Sequence, residues 1–575
     1  MAAPTTERPE ASAGGNGTNY ISRPPNGASP TRRLLRGYGP AVAIAAIIAL
    51  IAVLVPSKAQ KVSSNAAGAG SNGGEIAAGD NGAGAAGATN GGAASGTAGA
   101  TGTAGQAGTA GKTVTLPGHT TACSGQALQV PGDPYSPPCI LFSGDNGGAT
   151  TKGVTGNTIT VAVRLTSDQS FQQTLAKLAG AQLRDTNDDN VRTIQKLADY
   201  FNSHFNFYGR KLVIKTYTGQ GSLSAELQGN GQAQAQADAI QVGKQMNAFA
   251  DLTAESEPYA TALQQQQVLG FGDPYMPGYW HASHAPYDWS LATDGTDLAT
   301  DVANYAVQKL CPPGTPAAYA GGALKGAPRK FAGIAPANEL YQVSATVFKK
   351  IMDAAGCPVD NYSYTLDLGT ESQQAQNLIS QLKAKGYTTV LCGCDPIFPV
   401  YMTGQESSQS YLPEFVEIGA ALVDQDYVGQ LYNQQAYSHA FGISPNQPTV
   451  PYTQTIGYSA YKQVDPSGEP AFFVDLIYLQ MDMLALGIQM AGPHLTPASF
   501  QSGMFNFKPA LGPGGLWGFS SNQYTTPNDF REVCWSPSTT SANNQKPGAY
   551  IGTSNQRWTQ NNIPKGPPGC PIPAS

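Results

Sequence analysis

The chain has 575 residues, 67 of them Gly, and only 12% are Asp, Glu, Lys or Arg, against roughly 25% in an ordinary globular domain. Its net charge of −6, from 32 Lys and Arg against 38 Asp and Glu, excludes a strongly basic nucleic-acid binder and a highly charged disordered protein. Hydrophobic residues make up 41% of the chain, enough for a core, and the length suggests about three or four domain-sized units.

Residues 1–38 are polar and rich in Pro, Gly and Ser, and read as a short disordered cytoplasmic tail. Pro40 to Val55 reads PAVAIAAIIALIAVLV, at the short end of the roughly 17–25 residues that span a bilayer. Arg32, Arg33 and Arg36 precede it and Lys58 and Lys61 follow it. The arginine excess puts the N-terminus in the cytoplasm and everything after the segment outside. Two outcomes are open. Cleavage after Ala59 makes the segment a signal peptide and the protein secreted. Retention makes residues 39–56 a transmembrane signal-anchor. The long pre-region favours the anchor, as does the lack of any Cys before Cys123 for lipid attachment. Residues 57–112 hold most of the surplus Gly and Ala and lack aromatic residues. They cannot bury enough apolar surface to offset their ordering entropy, so a flexible tether is expected. About fifty such residues average roughly 40 Å end to end.

All eight cysteines lie beyond this point, in a Cys-containing lead-in over 113–152 and after it, as an oxidising compartment requires. Eight cysteines allow 105 pairings. Local pairing, Cys123–Cys139, Cys311–Cys357 and Cys534–Cys570, is the simplest arrangement. Cys392 and Cys394 are a strained bridge, a redox pair or two buried thiols. No second Cys or His pair has zinc-ligand spacing, so no metal is expected. His281 and His284 form a lone HxxH that reads as a solvated loop.

From here strands and helices alternate. Thr158–Leu165 (TITVAVRL) is a β-branched strand. Residues 188–205 carry one apolar helical face through Val191, Ile194, Leu197, Ala198, Phe201 and Phe205. Asp188 and Asp189 at its start favour the helix dipole. Strand 211–217, helix 233–246, strand 248–253, helix 258–266 and strand 267–271 follow. A helix over 297–310 has Asp297 as its expected N-cap. The pattern then restarts: strand 331–335, helix 339–355 and strand 362–367. Thr370-Glu-Ser-Gln373 reads as a capping box opening a helix that ends at Gly386, with strand 387–392 after it. Such alternation predicts an α/β protein with two doubly wound parallel-sheet lobes. Lobe 1 is expected over 153–296, completed by 456–510. Lobe 2 is expected over 297–455, with 511–575 as its return and the C-terminal tail. A long apolar helix, 471–491, and strands near 530–535 belong to these completions.

No GxSxG, HExxH, GxxxxGK[ST] or strand-linked GxGxxG occurs. His119, His204, His439 and His494 stand alone, so no catalytic residue and no cofactor are assigned.

From about Gly153 to Ser536 the order of elements resembles the type 1 periplasmic-binding-protein fold. More closely, it is similar to the leucine/isoleucine/valine-binding family of ABC importers. The resemblance rests on Ile159-Thr-Val-Ala-Val-Arg-Leu-Thr166, Gly209-Arg-Lys-Leu-Val-Ile-Lys215, Arg329-Lys-Phe-Ala-Gly-Ile with Tyr341, Leu382-Lys-Ala-Lys-Gly-Tyr-Thr-Thr-Val-Leu391, and Gly512 to Gly518-Phe-Ser-Ser-Asn522. It implies two lobes joined by a multi-strand hinge and closing on a small polar solute, an amino acid or an amide- or carboxylate-like molecule, delivered to ABC permease subunits. A surface sensor without an importer is the alternative, and an extracellular hydrolase a third reading. Ligands of open α/β sheets sit beyond the carboxyl ends of strands. The candidates are therefore Thr166, Ser167, Asp168, Gln169, Glu255, Ser256, Gly272, Asp273 and Tyr275 in lobe 1, with Tyr341, Cys394, Asp395 and the segment Gly419–Asp424 in lobe 2. Ser256, for a ligand carboxylate, and Tyr341, covering the ligand, match the family's positions best. The family's acid for a ligand ammonium is replaced by Gly419-Ala420-Ala421-Leu422, with Asp424 later, which puts an amino-acid substrate in doubt.

Overall fold

The computed structural model describes residues 118–165, 173–174, 177, 185–272, 275–554 and 556–573. The tail, apolar segment and tether lie outside these residues, as do Ser167, Asp168, Gln169 and Asp273.

The described chain opens with an antiparallel pair, β1 (His119–Ala122) and β2 (Ile140–Ser143). Cys123 and Cys139 are bonded across it. Tyr135 from the intervening loop stacks on Trp517, with ring centroids 3.8 Å apart, and donates to the Gly515 carbonyl at 2.6 Å. The lead-in is thus part of the first core. In the chain-entropy model a loop of this length contributes about 3 kcal/mol. Replacing both cysteines by Ser is expected to lower the unfolding free energy by up to that amount in urea titrations. A shift below 0.5 kcal/mol, the ordinary noise of surface changes, contradicts it.

The first sheet holds β3 (Thr158–Leu165), β4 (Lys211–Thr218), β5 (Ala250–Ala254), β6 (Leu269–Gly272) and β7 (Asp288–Trp289) in the order β4-β3-β5-β6-β7, all parallel. The apolar face read in the sequence packs one side, through the helix Asn187–His204. Thr186 caps that helix in a capping box with Asp189. The helix Val474–Ala491 covers the same side; by length and composition it is apolar enough to span a membrane, but it is mostly buried in this core. The helices Gln232–Ile240 and Glu257–Gln265 cover the other side.

The second sheet holds β8 (Phe331–Pro336), β9 (Val359–Tyr364), β10 (Thr389–Cys392), β11 (Glu414–Glu417) and β12 (Ala440–Ser444). A small hairpin follows, β13 (Ala510–Gly512) with β14 (Gly515–Trp517), and then β15 (Arg531–Thr540) and β16 (Pro547–Gly552). The sheet order is β16-β15-β12-β11-β10-β8-β9; every strand runs the same way except β15, which pairs antiparallel with both β12 and β16. Two apolar clusters flank it. Trp517 anchors the hairpin in the first core, so the return crossing falls after it rather than at 511.

Three chain crossings join the lobes side by side, near 290–295, 445–455 and 524–530. The Thr526 N–H donates to the Ser290 carbonyl at 3.1 Å, and the Thr293 hydroxyl to the Pro527 carbonyl at 2.7 Å. Arg557 pairs with Asp529 and donates to the Pro445 carbonyl at 2.5 Å, tying the second crossing to the third.

Four local readings are corrected. Asp294, not Asp297, caps the helix Gly295–Lys309, accepting from the N–H groups of Thr296 at 2.9 Å and Asp297 at 3.0 Å. Thr370 makes no side-chain cap, because its hydroxyl donates to Asp367 at 2.9 Å instead. The strand expected at 362–367 is Val359–Tyr364, held in register by pairing with β8. His281 and His284 are buried: His281 bonds Asp288, and His284 stacks on Trp280 at 3.9 Å. All three local disulfides form, and Cys392 is bonded to Cys394.

Candidate functional site

Parallel strands end together, so the loops after them converge. In the second lobe the ends of β8, β10 and β11 bring Gly333–Pro336, Leu391, Gly393–Asp395 and Ile418, Ala420 and Ala421 to one place. The helices Gly295–Lys309 and Glu339–Ala354 add Leu298, Val302, Tyr341, Ser344 and Phe348. From the first lobe come Ser224 and Leu227, on the short helix Leu223–Leu227, and Tyr275. Together they enclose a cavity of about 250 Å³. The Cys392–Cys394 bond closes the turn after β10 and presents Gly393, Cys394 and Asp395 to it.

The lobes touch across this cavity. The Ala421 N–H donates to the Tyr275 hydroxyl oxygen at 2.6 Å. Tyr275, Ala421 and Leu422 all sit at positive φ, 66°, 50° and 64°. Side chains there cost roughly 1 kcal/mol or more each, and such strain gathers where a ligand is clamped. Leu340 and Tyr341 of the second lobe pack on an apolar cluster of the first.

Two acids, Asp395 and Glu371, sit in a mainly apolar wall. The Asp395 carboxylate accepts from the Tyr364 hydroxyl at 2.6 Å and from the N–H groups of Ile397 and Phe398 at 2.8 and 3.2 Å. Burial still pushes its carboxyl above the usual range. Glu371, at the start of the helix Glu371–Lys385, is 1% exposed. Burial, then the charges of Asp395 and Asp367, push it up to about 9. Its Oε2 has no hydrogen-bond partner among the described residues, and neither has the Ser344 hydroxyl.

Of the candidates read from sequence, Tyr275, Tyr341, Cys394, Asp395, Ala420 and Ala421 line the cavity. Ser256 does not. It is buried and donates to the Glu226 carboxylate at 2.5 Å. Arg164, near the end of β3, grips that carboxylate with two bonds of 2.8 Å and reaches Asp238 at 3.3 Å. Its guanidinium lies 3.7 Å from the centre of the Tyr259 ring. The expected carboxylate-holding corner of the first lobe is therefore filled by a carboxylate of the chain itself. Glu255 is exposed. Asp424 is buried outside the cavity, accepting from Ser444 at 2.5 Å and Asn446 at 2.8 Å. Glu371, Ser344, Leu298, Val302 and Phe348 were missed. The apolar ones carry the helix periodicity of core residues, and Glu371 looked like part of a helix start.

Glu371 belongs to a wider set. Burial pushes Asp301, Glu406 and Glu417 up to about 8. These carboxyls are protonated in the folded chain and ionised, from about pH 4.5 upward, in the unfolded one. The folded state then holds more protons, so stability falls as pH rises toward 8–9. Thermal melts are expected to show a midpoint several degrees higher near pH 5 than near pH 8. A flat or rising profile contradicts the protonated core acids.

No family model matches the chain, and no curated protein matches it. Among solved structures, an ABC transporter substrate-binding protein from Aeropyrum pernix superposes with a TM-score of 0.50 at 12% identity, covering 70% of this chain and 96% of its own. A solute-binding protein from R. palustris, in complex with 4-hydroxybenzoate, gives 0.49 at 12%, covering 70% and 97%. The isoleucine complex of a branched-chain amino acid transporter substrate-binding protein from Streptococcus pneumoniae gives 0.46 at 13%, covering 69% and 100%. The Aeropyrum likeness shows the fold alone: the described lobes of this chain share the architecture of that protein.

Proposed function

We propose that the protein captures a small solute in the cavity between its two lobes and delivers it to ABC permease subunits. In this reading residues 39–56 hold it at the membrane, the tether lets the binding module reach a permease, and the module faces the extracytoplasmic space. The observation that carries the reading is the cavity itself. It lies at the carboxyl ends of parallel strands, has walls from both lobes, and is spanned by the Tyr275–Ala421 hydrogen bond. Lobes joined only by adjacent crossings can part by hinge motion to admit a ligand and close to retain it. Binding to the native state raises apparent stability by about 2.7 kcal/mol at a hundredfold excess over Kd. Thermal-shift screening of the full-length protein with amino acids, amides, aromatic acids and neutral apolar solutes tests the reading. At least one class is expected to raise the midpoint in a saturable manner; no shift with any class refutes it.

A further inference from the structure

We propose that the solute is an uncharged, mainly apolar molecule that seats its body in the second lobe and turns one hydroxyl or carbonyl oxygen toward the Glu371 carboxyl. This rests on the solute-binding reading above and narrows it to a substrate class.

The walls decide the body of the ligand. Leu298, Val302, Ile334, Phe348, Leu391 and Ile418 dominate the lining. Pockets of this composition bind through apolar burial, while a few polar groups fix orientation. Charge is excluded by two observations. Among the described residues the lining holds no Lys, Arg or His, while Glu371 and Asp395 belong to it. The buried first-lobe cation beside the strand ends, Arg164, is already held by Glu226 and Asp238. A carboxylate entering this cavity loses its hydration and meets acids rather than a cation, which is unfavourable.

A cation is disfavoured for a different reason. Asp395 already accepts three hydrogen bonds. Glu371 is best satisfied as a neutral carboxyl, because burial and the Asp395 and Asp367 charges oppose its ionisation. A protonated carboxyl is a donor. It needs an acceptor oxygen, and the Ser344 hydroxyl offers a second contact. An unmade hydrogen bond to a buried polar group costs about 1–3 kcal/mol, so a solute that supplies the oxygen is selected over a bare hydrocarbon.

The test is isothermal titration of the full-length protein with two matched triplets and leucine. One triplet is 4-phenylbutan-1-ol, 4-phenylbutanoate and 4-phenylbutylamine; the other is decan-1-ol, decanoate and decylamine. The alcohols are expected to bind at least tenfold tighter than their carboxylate and amine twins and than leucine. Glu371→Leu is expected to weaken the alcohols at least tenfold. Glu371→Gln, which keeps a donor and the volume, is expected to stay within threefold of wild type. Thermal melts confirm that both variants are folded. Equal or tighter binding of a charged twin, or binding of leucine alone, overturns the substrate class and leaves the solute-binding reading standing. So does alcohol binding indifferent to Glu371→Leu. Binding of no probe at all counts against both.

Discussion

Replacement of Arg164 by Met is expected to lower the unfolding free energy by about 3–5 kcal/mol, the range for removing one partner of a buried ion pair. Met keeps much of the apolar stem but removes the positive charge. The side chains of Glu226 and Asp238 are fully buried, and Arg164 is the cation that both contact. Tyr259 loses the guanidinium against its ring, and Ser256 is left donating to an uncompensated carboxylate. Glu226 sits on a helix of five residues, too short to hold its shape without tertiary contacts. The loss should therefore also loosen the first-lobe rim of the cavity. Urea denaturation of the full-length protein, with the double variant Arg164→Met/Glu226→Gln completing a cycle, measures the coupling. A cost below 1 kcal/mol, the value of an exposed pair, contradicts the network.

Filling the cavity should do the reverse: abolish binding and spare the fold. Ala345 lies on the cavity wall, on the helix Glu339–Ala354. Ala345→Phe places a ring in the space the solute needs. Affinity for any ligand found in the screen is expected to fall at least a hundredfold, about 2.7 kcal/mol. The melting temperature should hold or rise, since an aromatic ring adds buried apolar area where there was a void. Ala299→Phe, from the helix Gly295–Lys309, should act alike. Unchanged affinity in both variants places the ligand elsewhere.

The sheets were legible because their signals are local. TITVAVRL and KLVIKTY are short β-branched runs, and they form β3 and β4 with a continuous parallel register. The helix Asn187–His204 shows its buried face as plain periodicity. Cap residues were harder: Asp294 and Asp297 are both plausible on residue type, and only the backbone geometry chooses between them. The site was legible in position but not in character. Strand ends pointed to Tyr275, Cys394 and Asp395, and these line the cavity. Periodicity tells which side of a helix faces inward; it does not tell whether the inward space is filled. Leu298, Val302 and Phe348 are buried in the second-lobe core and border the void as well. Ser256 showed the opposite failure. Its place after β5 is a strand end, where ligands of open sheets sit, but Glu226, distant in sequence and on a helix too short to read, occupies its hydroxyl.

Hydrogen–deuterium exchange on the full-length protein, with and without a saturating concentration of the strongest binder from the screen, bears most directly on a solute held between the lobes. The account predicts slowed exchange in the segments that line the cavity from the second lobe, 295–302, 333–348, 391–396 and 418–421, together with the first-lobe segments around 224–227 and 275. Protection confined to one lobe, or lying away from these segments, contradicts it.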